Sequence, residues 1–362
     1  MRMFHLYSGS VCPFRLRVAL LGALIASIAW ASPSTAQPST AQTSKGQVTV
    51  YCSALAQWCE IMRENFEQKT GIKTLMTVKS AGETFAQIKA EKDNPKADIW
   101  WAGGGDQHLQ AAELGLTQAY QSPLLAQLHP WAQKQAEQAQ WRTVGIYAGT
   151  LGIVWNTEAL EKHKLTPPRC WADLLKPEFK GEIQMANPQS SGTSYTFIAT
   201  LVQLMGEEQA FAFLKSLHAL TNQYPRSGAA PMQNVARGES TLAITWMFAA
   251  VAEKEAGFPV KNTAPCEGTG YEIGSMSIIN GAKNLEQAKI FYDYALSAEA
   301  QATGTRAKSY QIPSNRTAPL PPNTPLLSEV KLIDYDFARF GTDAVRTRLI
   351  KRWETEISNS PK

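Results

Sequence analysis

The sequence predicts an α/β protein of two lobes, and three observations carry that expectation. Strand-like and helix-like runs alternate over residues 47–115, as in a sheet flanked by helices. Two apolar extended runs, 141–156 and 275–280, have the character of crossings between two bodies. The chain has 362 residues, 44% of them hydrophobic, enough to fill two cores.

Taken in order, residues 47–52 (QVTVYC) are β-rich, and 54–70 place Trp58, Ile61, Met62 and Phe66 on one helical face before Gly71 ends the run. A second strand over 72–79 precedes Ser80-Ala81-Gly82-Glu83, which has capping-box spacing for a helix through Glu91. Residues 97–102 (ADIWWA) read as a third, buried strand, followed by Gly103, Gly104, Gly105 and Asp106 and a helix over 107–114. This alternation predicts a largely parallel sheet, whose ligands sit beyond the carboxyl ends of the strands. Three donor-rich loops collect there: Ser53, residues 80–84 and residues 103–106. Tight turns use the same residues.

The second half carries a strand at 182–186, then the stretch 186–204, ANPQSSGTSYTFIATLVQL. Asn187 and Pro188 stop the strand, and Tyr195, Ile198, Ala199, Val202 and Met205 recur at helical spacing until Gly206. Ser190, Ser191, Gly192, Thr193 and Ser194 therefore lie at a helix mouth, where unpaired N–H groups and the helix dipole seat anions. Capping is the competing role for such hydroxyls. A helix follows over 207–217, then a Gly/Ser-bearing loop at 224–228, a helix from 231 and an apolar strand at 241–246 entering Met247, Phe248 and Ala249. Beyond the return crossing, helices over 284–296 and 298–304, a proline-rich connection at 313–325 and a helical tail complete the chain.

The first 31 residues have the form of an export signal: Arg15 and Arg17 precede an apolar run over 18–31 that is too short to span a bilayer. Cleavage fits after Ala31 or after Ala36. Residues 32–45 are rich in Ser, Thr, Gln, Ala and Pro and read as a leader. Three arginines fall in the signal, leaving 32 basic to 31 acidic residues. That balance, with no basic cluster, argues against nucleic acid or an anionic membrane as partner. Cys52, Cys59, Cys170 and Cys266 remain after the signal, an even number that predicts disulfides in an exported protein. Of three possible pairings, Cys52 with Cys59 and Cys170 with Cys266 is favoured.

No catalytic constellation emerges. The four histidines beyond the signal, His108, His129, His163 and His218, form no metal pair, and there is no nucleophile elbow or Walker pattern. Residues 268–274 (GTGYEIG) approach a dinucleotide fingerprint but have one residue too many and lead into an extended run. Asp106 and His108 are read as a structural pair at the surface. Donors without a nucleophile suit binding, and no enzymatic activity is expected.

Four stretches carry a resemblance: VTVYCSALAQWCEIMRENFEQKTGI at 48–72, KSAGETFAQIKAEKDNPKADIWWAGGGD at 79–106, CWADLLKPEFKGEIQMANPQSSGTSYT at 170–196 and APCEGTGYEIGSMSIINGAKN at 264–284. The chain resembles the ferric-binding-protein-like group of periplasmic solute-binding proteins of ABC transporters, close to the hexose-phosphate and organic-anion branch. The resemblance implies the type 2 periplasmic binding fold: two lobes, two crossover strands and an interlobe ligand cleft that closes on binding. It implies a signal and leader at 1–36, one lobe from 47–142 plus 277–320, and the other from 143–276 plus 321–362. It implies delivery of solute to an ABC permease in the inner membrane. Carried over by position, Ser53, Ser80, Gly104, Ser190, Ser191, Thr193 and Ser227 are the implied contacts, with Gly192 at the same helix mouth.

The ligand follows from a departure. The iron binders carry adjacent tyrosines where this chain has Phe248-Ala249, and a phenyl ring and a methyl cannot replace phenolate ligands of ferric iron. Hexose-phosphate binders of the group carry His-Asp there. What remains is a seat for phosphate, phosphonate or carboxylate beside an apolar wall of Trp246 and Phe248, which core packing explains equally well. Arg226 neutralises the anion or braces its loop. The expectation is a monomeric periplasmic receptor for a small organic anion, with no metal or cofactor. The alternative is a ferric iron-binding protein of an iron ABC transporter, using Tyr195, Tyr271 and Glu272 with a synergistic anion. An exported phosphatase and a receptor presenting solute to a membrane sensor are further readings.

Overall fold

The structure is a computed structural model that describes residues 46–361; the expected signal at 1–36 lies outside the described residues. Strands β1 (Gln47–Cys52), β2 (Lys73–Val78) and β3 (Ile99–Gly104) pair in parallel in the order β2-β1-β3. Helices α1 (Ala56–Thr70) and α2 (Ala81–Ala90) make the crossovers. Gly71 ends α1 at φ 72°, a left-handed conformation that costs a side chain-bearing residue strain. α2 opens on the capping box read from the sequence, Ser80 and Glu83 each accepting the other's backbone N–H. Next come α3 (Gly105–Glu113), β4 (Thr117–Gln118) and α4 (Pro130–Gln138), started by proline at its first position.

β5 (Val144–Asn156) is 13 residues long. After it come α5 (Thr157–His163), β6 (Ile183–Met185), α6 (Gly192–Met205), α7 (Glu207–His218), β7 (Thr221–Gln223) and α8 (Ala230–Ala236). β8 (Leu242–Trp246) runs into α9 (Met247–Glu255), then β9 (Val260–Thr263) and β10 (Tyr271–Ile279) follow. α10 (Leu285–Leu296), α11 (Ala298–Arg306), β11 (Ile312–Pro313), α12 (Phe337–Phe340) and α13 (Asp343–Trp353) end the chain.

The sheet order is β2-β1-β3-β10-β5-β8-β6-β7, with β4 on β10 and both β9 and β11 on β5. β1, β2 and β3 are parallel as their alternation with helices predicts, while the sheet as a whole is mixed. β10 runs antiparallel to β3 and β5, and β5 antiparallel to β8, because the crossing strands return through the sheet. Two cores flank them. Val144, Ile146 and Tyr147 of β5 join Trp58, Met62, Phe66, Trp101, Met276 and Phe291 in one. Leu151 and Ile153 join Trp171, Phe197, Leu201, Ile244 and Trp353 in the other.

β10 starts at Tyr271, four residues earlier than the sequence run suggests. The glycines that look like a loop are there for packing. A Cβ on Gly274 would lie 1.9 Å from the Tyr147 ring, and one on Gly270 would lie 2.2 Å from Thr200 Oγ1. The near-fingerprint at 268–274 is therefore part of a strand and its approach. Disulfides join Cys52 to Cys59, tying β1 to α1, and Cys170 to Cys266 across 96 residues. The second contains both thiols of the Cys170, Cys266, Glu267 group, the one cluster of metal-ligating type among the described residues.

Replacing Gly274 with alanine must push Tyr147 off its place, where its hydroxyl accepts the Gly103 N–H at 3.3 Å. Overpacking of this kind costs about 1 to 3 kcal/mol, read as a lower urea midpoint. Gly82 in α2 has nothing within 4 Å of its missing Cβ, so Gly82→Ala should instead add about 0.5 to 1 kcal/mol.

Candidate ligand-binding site

The mouth of α6 is built by two tethers. Ser190 Oγ donates to the Arg226 carbonyl at 2.8 Å, and the Asn187 N–H donates to the Pro225 carbonyl at 2.8 Å. These hold the 224–229 loop over the first turn. Gly228 then faces the helix so closely that a Cβ there would lie 2.7 Å from Thr193 Oγ1 and 2.9 Å from Ser191 Oγ. The two hydroxyls thus converge on one point.

Ser191 occupies the N-cap position, yet its side chain makes no capping bond. It is 4% exposed, and its Oγ has no hydrogen-bond partner. Ser194 Oγ, one turn in, is also buried without a partner. A buried hydroxyl left unpaired costs about 1 to 3 kcal/mol. Capping does not account for these residues.

The other expected contacts are differently employed. Ser53 Oγ accepts from Trp100 Nε1 at 3.0 Å and hydrogen-bonds Thr84 Oγ1 at 3.1 Å, which joins the first expected loop to the last residue of the second. Ser80 Oγ donates to Glu83, whose carboxyl is held below the usual range first by that bond, then by the Ser80 N–H, with Arg226 and Lys79 adding. Arg226 is exposed, and its charge is felt across the gap by Glu83. Ser227 Oγ accepts the Ala229 N–H at 3.3 Å. Trp246 is buried in the second core, and Phe248, half-buried, stacks with it at 6.3 Å and 8°. The Phe248 ring fills the place of a side chain on Gly149, 2.5 Å from its missing Cβ.

Between the rims lies a cavity of about 10 Å³, room for about one water. Of the expected residues it brings together Gly104 and Gly192; Asp106, Gln107, Thr196, Tyr271, Glu272 and Phe337 complete most of its lining. Gly192 approaches Gln107, whose Nε2 is 3.2 Å from the missing Cβ. Gln107 is 2% exposed and its Oε1 has no partner. Gln107 and Asp106 stand directly after the glycine triplet, which is the sequence signal that could have found them; Phe337 has none, being brought by the tertiary fold.

Asp106 and His108 are buried, which corrects their reading as a surface pair. His108 stacks on Trp100 with centroids 3.7 Å apart. Its Nε2 reaches the Ala102 carbonyl and so carries the proton, leaving Nδ1 to accept from Ser277. Burial pushes its pKa down to about 3, so it is neutral and structural. Asp106 faces the cavity. Burial raises it to about 6 against the pull of Arg346. Burial raises Glu272 to about 8, with the Asp106 charge adding. Of the alternative iron ligands, Tyr271 and Glu272 line this cavity and Tyr195 does not. Tyr195 is wholly buried, donates to the Phe340 carbonyl and lies under Arg346, and Tyr271 packs on Phe337.

Comparison with known proteins gives a consistent result. The model of the family described as bacterial extracellular solute-binding protein matches residues 94–340. An uncharacterized protein of Haemophilus influenzae is 43% identical over 86% of this chain and 91% of its own length. A putative 2-aminoethylphosphonate-binding periplasmic protein of Salmonella paratyphi A is 25% identical over 67% of this chain and 70% of its own. Among solved structures, the periplasmic binding protein AfuA of Actinobacillus pleuropneumoniae, with exogenous fructose-6-phosphate bound, is 46% identical. It superposes with a TM-score of 0.85 over 88% of this chain and 100% of its own. Iron-bound HitA of Pseudomonas aeruginosa, 21% identical with a TM-score of 0.73 over 84% of this chain and 98% of its own, shares the fold. With the family model matched over most of the chain and a sheet traversed by two antiparallel crossing strands, the chain belongs to the bacterial extracellular solute-binding proteins and is a periplasmic member of them.

Proposed function

We propose that this protein captures a phosphate ester without chemical change and delivers it to an ABC permease of the inner membrane. The phosphoryl group sits at the mouth of α6 on Ser191, Gly192 and Thr193, with Ser190, Ser227 and Arg226 on the loop above. Ser53, Ser80 and Gly104 form the facing rim, and Trp246 with Phe248 forms the apolar side. One observation supports this reading above the others: Ser191 Oγ is buried at a helix N-terminus, makes no cap and has no partner. Such a hydroxyl is a donor reserved for something else. The likeness to AfuA, solved with fructose-6-phosphate bound, points to the same ligand class. Residues 47–142 with 277–320 and 143–276 with 321–362 are the two bodies that part and close, since a space for about one water admits no ester.

Of the two carboxyls on the acidic side of the cavity, Asp106 and Glu272, burial keeps Glu272 neutral. A Glu272 carboxyl raised to about 8 is protonated at neutral pH, which removes one negative charge from the vicinity of the phosphate.

Calorimetric titration with fructose 6-phosphate tests the seat. Hydrogen bonds to a charged group contribute about 1.5 to 3 kcal/mol each, so Ser191→Ala and Thr193→Val should each weaken binding by about ten- to hundredfold. Without ligand, Ser191→Ala should melt no lower than wild type, since it deletes an unsatisfied buried hydroxyl. A lower melting point with unchanged affinity would mark Ser191 as a cap and end the proposal.

The Glu272 carboxyl gives a pH test of stability. Its folded pKa lies above its unfolded one, so between about 4.5 and about 8 the native state binds more protons and loses stability as pH rises. Glu272→Gln should therefore melt higher than wild type above pH 8, with the difference shrinking toward acid. Parallel melting curves across this range would show that Glu272 is not perturbed.

A further inference from the structure

The amide of Gln107 stands between two helix mouths. α3 packs beside β3, its Ala111 clustered with Trp100 and Leu116, while α6 buries Phe197, Ile198 and Leu201 in the second core. Gln107, the third residue of α3, reaches from one helix to the other. Its Oε1 lies 2.8 Å from the place of a Cβ on Gly104, the N-cap of α3, and 3.6 Å from that on Gly192, the first residue of α6. Its Nε2 lies 3.2 Å from the missing Cβ of Gly192. All three residues line the small cavity, and the two glycines leave the amide its room.

A glutamine at the third helical position has an ordinary task, which is to reach back and accept the N-cap N–H. Gln107 does not perform it. Its Oε1 lies beside Gly104 and takes no hydrogen bond, while the residue is 2% exposed. Leaving a buried acceptor unpaired is costly, so the fold alone gives no reason for an amide here. On α6, Ser191 and Ser194 bury hydroxyls that also lack partners. A hydroxyl can donate or accept, but an amide oxygen only accepts. Whatever pairs with Gln107 Oε1 must therefore bring a proton. A phosphate ester above its second pKa of about 6 has none on its phosphoryl oxygens, which leaves a hydroxyl or amine on its organic part. We propose that Gln107 is a specificity-determining residue: its side-chain oxygen accepts a hydrogen bond from a hydroxyl or amine of the ligand, beside the phosphoryl group held at the mouth of α6, and so selects esters that carry such a donor over bare alkyl ones.

This rests on the phosphate-ester reading, and two probes with one ligand-free measurement keep the two apart. Fructose 6-phosphate has hydroxyls on its organic part, whereas methyl phosphate has none. In calorimetric titrations at mildly alkaline pH, Gln107→Met keeps the length of the side chain and removes the amide. It should weaken fructose 6-phosphate about tenfold, as for one hydrogen bond, and leave methyl phosphate nearly unchanged. Without ligand, the variant should melt no lower than wild type, since it deletes an unpaired buried acceptor. Equal weakening of both probes, or undiminished binding of fructose 6-phosphate, overturns the proposal. So does a lower melting point or a variant that does not fold, because the fold then uses the amide itself, through a cap or through the Glu272 carboxyl on the same cavity wall. If wild type binds neither probe, the phosphate-ester reading fails separately, and the melting comparison alone decides whether the amide is held by the fold or kept free for a ligand.

Discussion

The antiparallel pairing of β5 with β10 is the contact on which the rest of the molecule depends. β5 belongs to both cores, Val144 and Ile146 to one and Leu151 and Ile153 to the other. β10 pairs with it from Tyr271 to Met276 and, along its other edge, with β3 from Gly274 to Ile278. The register sets Glu272 opposite Gly149, and opposite residues share a face of the sheet. The Phe248 ring occupies the room that Gly149 leaves, so the Glu272 carboxyl and the aromatic wall are neighbours by consequence of one backbone alignment. A slip by one residue would turn both away.

The two sides of the cavity differ in what they lack. On α6 the unpaired groups are hydroxyls and first-turn N–H groups, beside the positive end of a helix dipole. On α3 the unpaired group is the acceptor Gln107 Oε1, beside the carboxyls of Asp106 and Glu272 on the cavity wall. Unsatisfied polar groups are costly to bury and uncommon in native folds. Ser191 and Ser194 leave hydroxyls unpaired on α6 and Gln107 an amide oxygen on α3, and Gln107 meets Gly192 on the lining of the small space between those two helices.

Similar serines do different work because their partners differ. Ser80 and Ser191 both hold N-cap positions. Ser80 is followed three residues later by Glu83, and the pair satisfy each other. Ser191 is followed by Ser194, whose own hydroxyl is buried and unpaired. A carboxylate in the first turn also places negative charge where an anion would approach, so the α2 mouth is a poor seat by electrostatics as well. Ser190 and Ser227 stabilise the loop over α6, a supporting part that spacing alone does not distinguish from direct contact.

Local pattern was sufficient for much of this. Periodic apolar residues marked α1, α6 and α7, the spacing of Ser80 and Glu83 marked the start of α2, and an even cysteine count in an exported chain favoured the two disulfides. The stretch 186–204 announced a helix mouth lined with hydroxyls, because capping residues and helical periodicity are short-range properties. The antiparallel pairing of β5 with β10 was not legible, since the two strands lie far apart in sequence, and glycines at 270 and 274 resemble a loop until Thr200 and Tyr147 are seen against them. Whether Ser191 caps or waits, and whether Asp106 and His108 lie buried, depends on groups far apart in sequence. Those distances are fixed by packing, and packing is decided only when the whole chain has folded.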